Sequence, residues 1–197
     1  YNYDGTQIKT ITEFSYPSAD TLQSSVTYRN GHANITTAAL ELTAATLALT
    51  DSSTWATRVA VVATSSTKKS ATVYTGPEGE EKALATFNYN YLGTIVKTST
   101  LFNYESDVLK NSVTYRGDLR TSGDITNSTF TGVRTVVALT AAMINTNGTI
   151  VTGSVYDARK SITTYFGAEG EEKAQNTYNY NYDGTQIKTI TEFSYPS

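Results

Sequence analysis

Residues 174–195 read AQNTYNYNYDGTQIKTITEFSY, and the fold turns on how they are read. From Ala174 to Tyr182 the stretch alternates, with Tyr178, Tyr180 and Tyr182 at every second position. That period of two belongs to a pleated strand with one face buried. Asp183-Gly184 follows, a strong short hairpin signal, because both central residues of a two-residue type I′ turn take positive φ. Thr185 to Tyr195 is then expected to return as the second strand, with Tyr182 opposite Thr185 and Tyr180 opposite Ile187. One face carries Tyr178, Tyr180, Tyr182, Ile187, Phe193 and Tyr195. The other carries Asn179, Asn181, Gln186, Lys188, Glu192 and Ser194, and only Ile190 breaks it. The expectation is a half-buried hairpin with an aromatic inner face. Each buried aromatic stabilises it by roughly 1.5–3 kcal/mol.

Part of this stretch recurs. Residues 1–18 and 180–197 both read YNYDGTQIKTITEFSYPS. A diverged copy runs from Asn90 to Tyr104, with Leu92 at the place of Asp183 and with Gly93 kept. Other blocks recur in step. Ser25-Val26-Thr27-Tyr28-Arg29 matches Ser112-Val113-Thr114-Tyr115-Arg116, and Gly79-Glu80-Glu81-Lys82-Ala83 matches Gly170-Glu171-Glu172-Lys173-Ala174. Two related modules of 88–91 residues thus form a super-repeat of 179 residues. Such a period exceeds the roughly 20–50 residues of most solenoid units. It is near the size of an immunoglobulin-like sandwich, about 100 residues. The expected fold is all-β: two tandem immunoglobulin-like β-sandwich modules, residues 19–104 and 105–197, with residues 1–18 equivalent to 180–197 as the end of a preceding unit. The rival architecture is one continuous β-meander or spiral.

Within each module, Leu22–Arg29 and Leu109–Arg116 read as strands, as do Ser70–Tyr74 and Ser161–Phe166. Acidic, Gly-rich loops at 76–81 and 167–172 lead into the Tyr/Asn strands. The modules differ most between these elements. There, Thr37–Thr50, Arg58–Ala63 and Thr149–Tyr156 read as further strands, and the region holding loops 30–58 and 117–149 differs by four residues in length between the modules. Variable loops at one end of a module are a usual place for binding.

The balance of 15 basic and 18 acidic residues argues against a nucleic-acid footprint. No apolar run is long enough to span a bilayer. The chain has no cysteine, so disulfides and thiolate metal sites are excluded. The single histidine, His32, has no partners at catalytic spacing, and no catalytic constellation marks an enzyme. Glu78, Glu80 and Glu81, and again Glu169, Glu171 and Glu172, are candidate Ca²⁺ ligands, since hard cations take clustered oxygens. The rival reading is a solvated turn neutralised by Lys82 or Lys173, and the spacing is not that of an EF-hand. The same two lysines are candidates for an internal Lys–Asn isopeptide crosslink in a chain without disulfides. Asn34, Asn127 and Asn147 open Asn-X-Ser/Thr triplets and are candidate glycosylation sites. No cofactor is implied.

Tyr180-Asn181-Tyr182-Asp183-Gly184 resembles the YxYD-plus-glycine signature of YD repeats, found in large bacterial surface and toxin-shell proteins. That match covers the hairpin alone, and those repeats are near 20 residues long. As an array the chain is similar to giant tandem-repeat bacterial surface proteins, adhesin stalks and extracellular filaments. The resemblance implies a secreted, non-enzymatic, mechanical or adhesive role at the cell surface. The partner it implies is the chain itself, as neighbouring repeat units of a homopolymer. Ile8, Phe14 and Tyr16 at one end, and Ile187, Phe193 and Tyr195 at the other, are the candidate junction residues. The junction is either continuous polypeptide or strand addition between subunits. The rival function is a surface adhesin or carbohydrate-binding module that meets glycans through loops 30–58 and 117–149.

Overall fold

A computed structural model describes residues 10–16, 20–29, 67–121, 132 and 158–196. The described residues are all-β, and nine strands follow one another. They are β1 (Thr10–Ser15), β2 (Ser24–Arg29), β3 (Thr67–Thr75), β4 (Lys82–Tyr89), β5 (Val96–Glu105), β6 (Val108–Arg116), β7 (Arg159–Phe166), β8 (Lys173–Tyr180) and β9 (Ile187–Glu192). They form one antiparallel sheet in the order β1 to β9, every strand beside its sequence neighbours. A pair of sandwiches divides its strands between facing sheets. The described strands join a single sheet instead, the arrangement of the meander. β1–β4 and β5–β8 are the two repeats, and β9 stands where β1 and β5 stand. No helix among the described residues is long and apolar enough to cross a membrane.

Two rows of side chains make the inner face. Val26, Ala71, Phe87, Ser99 and Tyr115 are successive partners across β2–β6. Val73, Ala85, Leu101, Val113, Ile162, Tyr178 and Ile190 are successive partners across β3–β9. The core lies over β2–β5, where Val26, Tyr28, Ala71, Val73, Ala85, Phe87, Tyr89 and Val96 are buried together with Leu119. The opposite face is a field of hydroxyls. Thr12 pairs with Thr27, Thr72 with Thr86, Thr100 with Thr114 and Thr163 with Thr177, each Oγ1–Oγ1 distance 2.8–2.9 Å. These cross-strand pairs pin the register of the hairpins.

Strict alternation does not survive the strand length. Every pairing except β1·β2 contains a bulge. The extra residue is lysine at five of the seven, namely Lys69, Lys97, Lys110, Lys160 and Lys188, and Leu84 or Gln175 at the others. All seven are exposed, as suits a residue without a ladder partner. At β8·β9, Tyr180 faces Ile187 as expected, but Lys188 bulges and Tyr178 faces Ile190. Ile190 therefore shares the inner face with Ile187. The same shift puts Thr189 and Thr191 on the outer face, and alternation carries Phe193 there too, away from the Tyr178–Tyr180 stripe.

The hairpin turn also differs from the two-residue reading. The Asn181 N–H donates to the Gln186 carbonyl at 2.9 Å, and the Gly184 N–H donates to the Asn181 carbonyl at 3.1 Å. The Asn181 side-chain oxygen accepts from the N–H groups of Thr185 and Gln186, both at 3.0 Å. Asparagine thus closes a four-residue loop in which only Gly184 takes positive φ (75°). Asn90 closes the loop before β5 in the same way. Leu92 is tolerated at the place of Asp183 because that position needs no left-handed backbone. The two-residue turn occurs instead at Ser106-Asp107, both at positive φ, between Glu105 and its partner Val108. The strands read at Thr37–Thr50, Arg58–Ala63 and Thr149–Tyr156 lie outside the described residues.

Candidate functional site

The repeats meet inside the chain, at β4, β5 and β6, and each repeat brings the same fixings. Glu81 accepts the Leu22 N–H at 2.9 Å, and Glu172 accepts the Leu109 N–H at 3.0 Å. Ser25 meets the Tyr74 hydroxyl at 3.1 Å, and Ser112 meets the Tyr165 hydroxyl at 3.2 Å. Arg29 donates to the carbonyls of Lys68 and Asn90 and lies over the Tyr91 ring. Arg116 donates to the Arg159 carbonyl and lies over the Tyr182 ring. Lys68 sits over Tyr89 and Arg159 over Tyr180. Lys82 sits over Tyr104 and Lys173 over Tyr195. A cation over an aromatic face is worth about 0.5–1 kcal/mol where exposed. The tyrosines thus serve as repeated anchors for strand-end cations.

The contact that crosses from one repeat to the next is ionic. The Lys82 ammonium, at the start of β4, donates to Glu169 at 2.6 Å and to the Asp107 carbonyl at 3.0 Å. It also lies 3.2 Å from the Asp107 carboxylate. The bond to Glu169 is the main cause holding this lysine above its ordinary pKa.

A second crossing contact covers the core. Leaving β6, the chain returns over β4 and β5. The buried Ser99 hydroxyl donates to the Gly117 carbonyl at 2.8 Å and accepts from the Leu119 N–H at 3.1 Å. Leu119 is fully buried. Arg120 holds Asp118 through two nitrogens (2.6 and 2.9 Å) and donates to the Tyr89 hydroxyl at 2.8 Å. Its guanidinium lies over the rings of Phe87 and Tyr89. Burial is the largest cause raising the Tyr89 pKa.

Among the described residues, no such cover lies over the same surface of the C-terminal repeat. Phe87, Tyr89, Val96 and Ser99 have the counterparts Tyr178, Tyr180, Ile187 and Ile190. The first four are 0–7% exposed, while Ile187 is 49% and Ile190 55% exposed. Tyr178 and Tyr180 are half-buried. Among the described strands, β9 pairs only with β8 and β1 only with β2.

Of the candidate junction residues, Phe14, Tyr16, Ile187, Phe193 and Tyr195 are all exposed. Ile8 lies outside the described residues. Only Ile187 belongs to the inner face of β9. Tyr195 turns back on its own repeat, its hydroxyl donating to the Ala174 carbonyl at 2.8 Å and its ring edge-on to Phe166. Among the described residues no group of three or more acidic or histidine side chains could hold a metal ion. Of the six glutamates, Glu81 and Glu172 bind backbone and Glu169 binds Lys82, while Glu78, Glu80 and Glu171 are exposed loop residues. Lys82 is engaged ionically and Lys173 stacks on Tyr195. His32, Asn34, Asn127 and Asn147 lie outside the described residues, as do loop 30–58 and loop 117–149 apart from 117–121 and 132. Leu119, Arg120 and the two loop asparagines escaped the sequence reading. The arginine ending each VTYR block was a usable signal; Leu119 gave none, because the repeats diverge there.

The two backbone-bound glutamates give a pH test. The Leu22 N–H lowers the Glu81 pKa and the Leu109 N–H lowers that of Glu172. A carboxylate depressed on folding contributes stability above its unfolded pKa, about 4.3 for glutamate, and loses it as pH falls through the lower folded value. Glu13 acts in the opposite sense, because burial raises its pKa. We expect the urea midpoint to fall below pH 4.3, and Glu81→Gln with Glu172→Gln to flatten that fall. An unchanged slope in the double variant would refute the assignment. Compared with protein-family models, with curated proteins and with solved structures, the chain matches none.

Proposed function

We propose that this chain is a segment of an extracellular, non-enzymatic tandem-repeat filament or stalk at the cell surface, in which each repeat adds four strands to one continuing sheet. The observation that carries this reading is the seam at β4–β6. The sheet passes through it without a break, and side chains of the second repeat, Leu119, Arg120 and Glu169, complete the first. A repeat finished by its successor suits an array better than a string of self-contained immunoglobulin-like sandwiches. The repeated cation–tyrosine and threonine pairs support the same reading, because each new unit renews them.

Length decides the matter. In a chain of two periods, residues 1–179 followed by 1–197, X-ray scattering should show an unchanged cross-section. The maximum dimension should grow by about 35–40 Å, eight strands at about 4.8 Å each. A profile of flexibly jointed beads would sink the proposal.

A further inference from the structure

We infer that β9 is an acceptor for a second copy of this chain, and that it enters that copy in place of β1, beside β2. This rests on the filament reading and specifies its junction. Residues 180–197 and 1–18 have one sequence, so β9 carries the equivalents of Thr10–Glu13, and Phe193 and Ser194 just beyond it those of Phe14 and Ser15, the side chains with which β1 meets β2. The register follows from β1·β2, where Thr10, Ile11, Thr12 and Glu13 face Arg29, Tyr28, Thr27 and Val26. In the junction Thr189, Ile190, Thr191 and Glu192 take those places. β9 regains four of the six pairs lost by the displaced β1, and Phe193 and Ser194 stand in sequence for the other two, so the exchange itself is near neutral. The gain lies elsewhere. β9 becomes an inner strand, held by β8 on one side and β2 on the other, as β5 is held by β4 and β6. Ile190, now 55% exposed, comes to lie beside Tyr28, which is buried.

Charge complementarity supports the same occupant. Inside the chain Lys82 bridges to Glu169 and Asp107 of the next repeat. The counterpart of Lys82 is Lys173. The counterparts of Glu169 and Asp107 are Glu78 and Asp20, which no described repeat precedes. Asp20 has the same left-handed backbone as Asp107, φ 61° against 66°. Head-to-tail joining therefore brings Lys173 of one copy to Glu78 and Asp20 of another. The interface is heterologous, so every joined copy leaves one free edge at each end, and the sheet continues as a filament wherever the rotation from copy to copy does not close a ring. Strand addition of this kind draws its affinity from the backbone ladder and its specificity from alternate side chains.

The chain has no cysteine, so engineered thiols report the junction cleanly. The outer-face pair Thr12–Thr27 is in hydroxyl contact at 2.9 Å, and Thr191 is the equivalent of Thr12. In the full chain, T27C with T191C should oxidise to a ladder of disulfide-linked oligomers that grows with protein concentration. T12C with T27C should give crosslinked monomer, which confirms that the thiols are accessible. T191C with T72C, out of register on β3, should give no ladder. Lys173→Glu should slow the ladder about two- to five-fold, as a surface ion pair allows, and Glu78→Lys in the same chain should restore it. Monomer alone from T27C with T191C, or equal ladders from both T191C pairs, would overturn the exchange. If the two-period chain still scatters as a rod, the filament reading survives that outcome with covalent continuity as its only junction. If the two-period chain scatters as beads, the filament reading itself has failed.

Discussion

Phe87→Ala is expected to destabilise the folded chain by about 3–5 kcal/mol, the range for deleting a fully buried aromatic. Phe87 has no exposed surface and lies on the inner row between Ala71 and Ser99, under the Arg120 guanidinium. Removing it opens a cavity that the rigid sheet cannot close and strips the apolar platform under Leu119. Tyr178→Ala, at the equivalent place in the second repeat, should cost less than about 2 kcal/mol, because its ring is only half-buried and less area returns to water. Urea unfolding of the two variants at one protein concentration measures the difference. Equal losses would mean that the two repeats are equally covered, against the contrast on which the junction rests. In a strand-joined oligomer the gap should narrow.

The second large effect concerns the loop before β5. Gly93 has φ 70°, and a Cβ built there would lie 2.5 Å from the Lys68 backbone nitrogen and 3.1 Å from the Thr67 carbonyl carbon. Gly93→Ala therefore incurs the left-handed penalty of about 1–2 kcal/mol and a collision with backbone that no rotamer relieves. We expect a loss of about 3 kcal/mol or more, in the range that marks strain at a special backbone site. Gly79 is the control. Its φ is 80°, but a Cβ there meets nothing within 4 Å, so Gly79→Ala should cost only the conformational part. Thermal unfolding of both variants decides. If they fall equally, the close approach of the loop to β3 is not a constraint. Gly184, with its Cβ position 2.6 Å from the Arg159 nitrogen, should behave as Gly93 does.

Much of the site was legible in the repeats. The period-two tyrosines marked the inner face around Tyr178 and Tyr180, and the identity of residues 1–18 and 180–197 is what the proposed junction starts from. What alternation could not follow was the bulge. One extra lysine in a strand exchanges the faces of everything beyond it, so Ile190 moved inward and Phe193 outward. Asp183-Gly184 misled for a related reason. A turn preference acts over two residues, whereas Asn181 closes a loop of four by accepting two backbone N–H groups.

Sequence alone determined that the described residues are built of strands and that those strands recur. Those properties are local, or are repeated often enough to be read locally. Tertiary structure decided that the described strands form one sheet, that Leu119 and Arg120 of one repeat cover the other, and that Lys82 reaches Glu169. A strand's face and edges look the same whether its neighbour belongs to a facing sheet or to the same one. Only the register, with its bulges and cross-repeat contacts, separates the two.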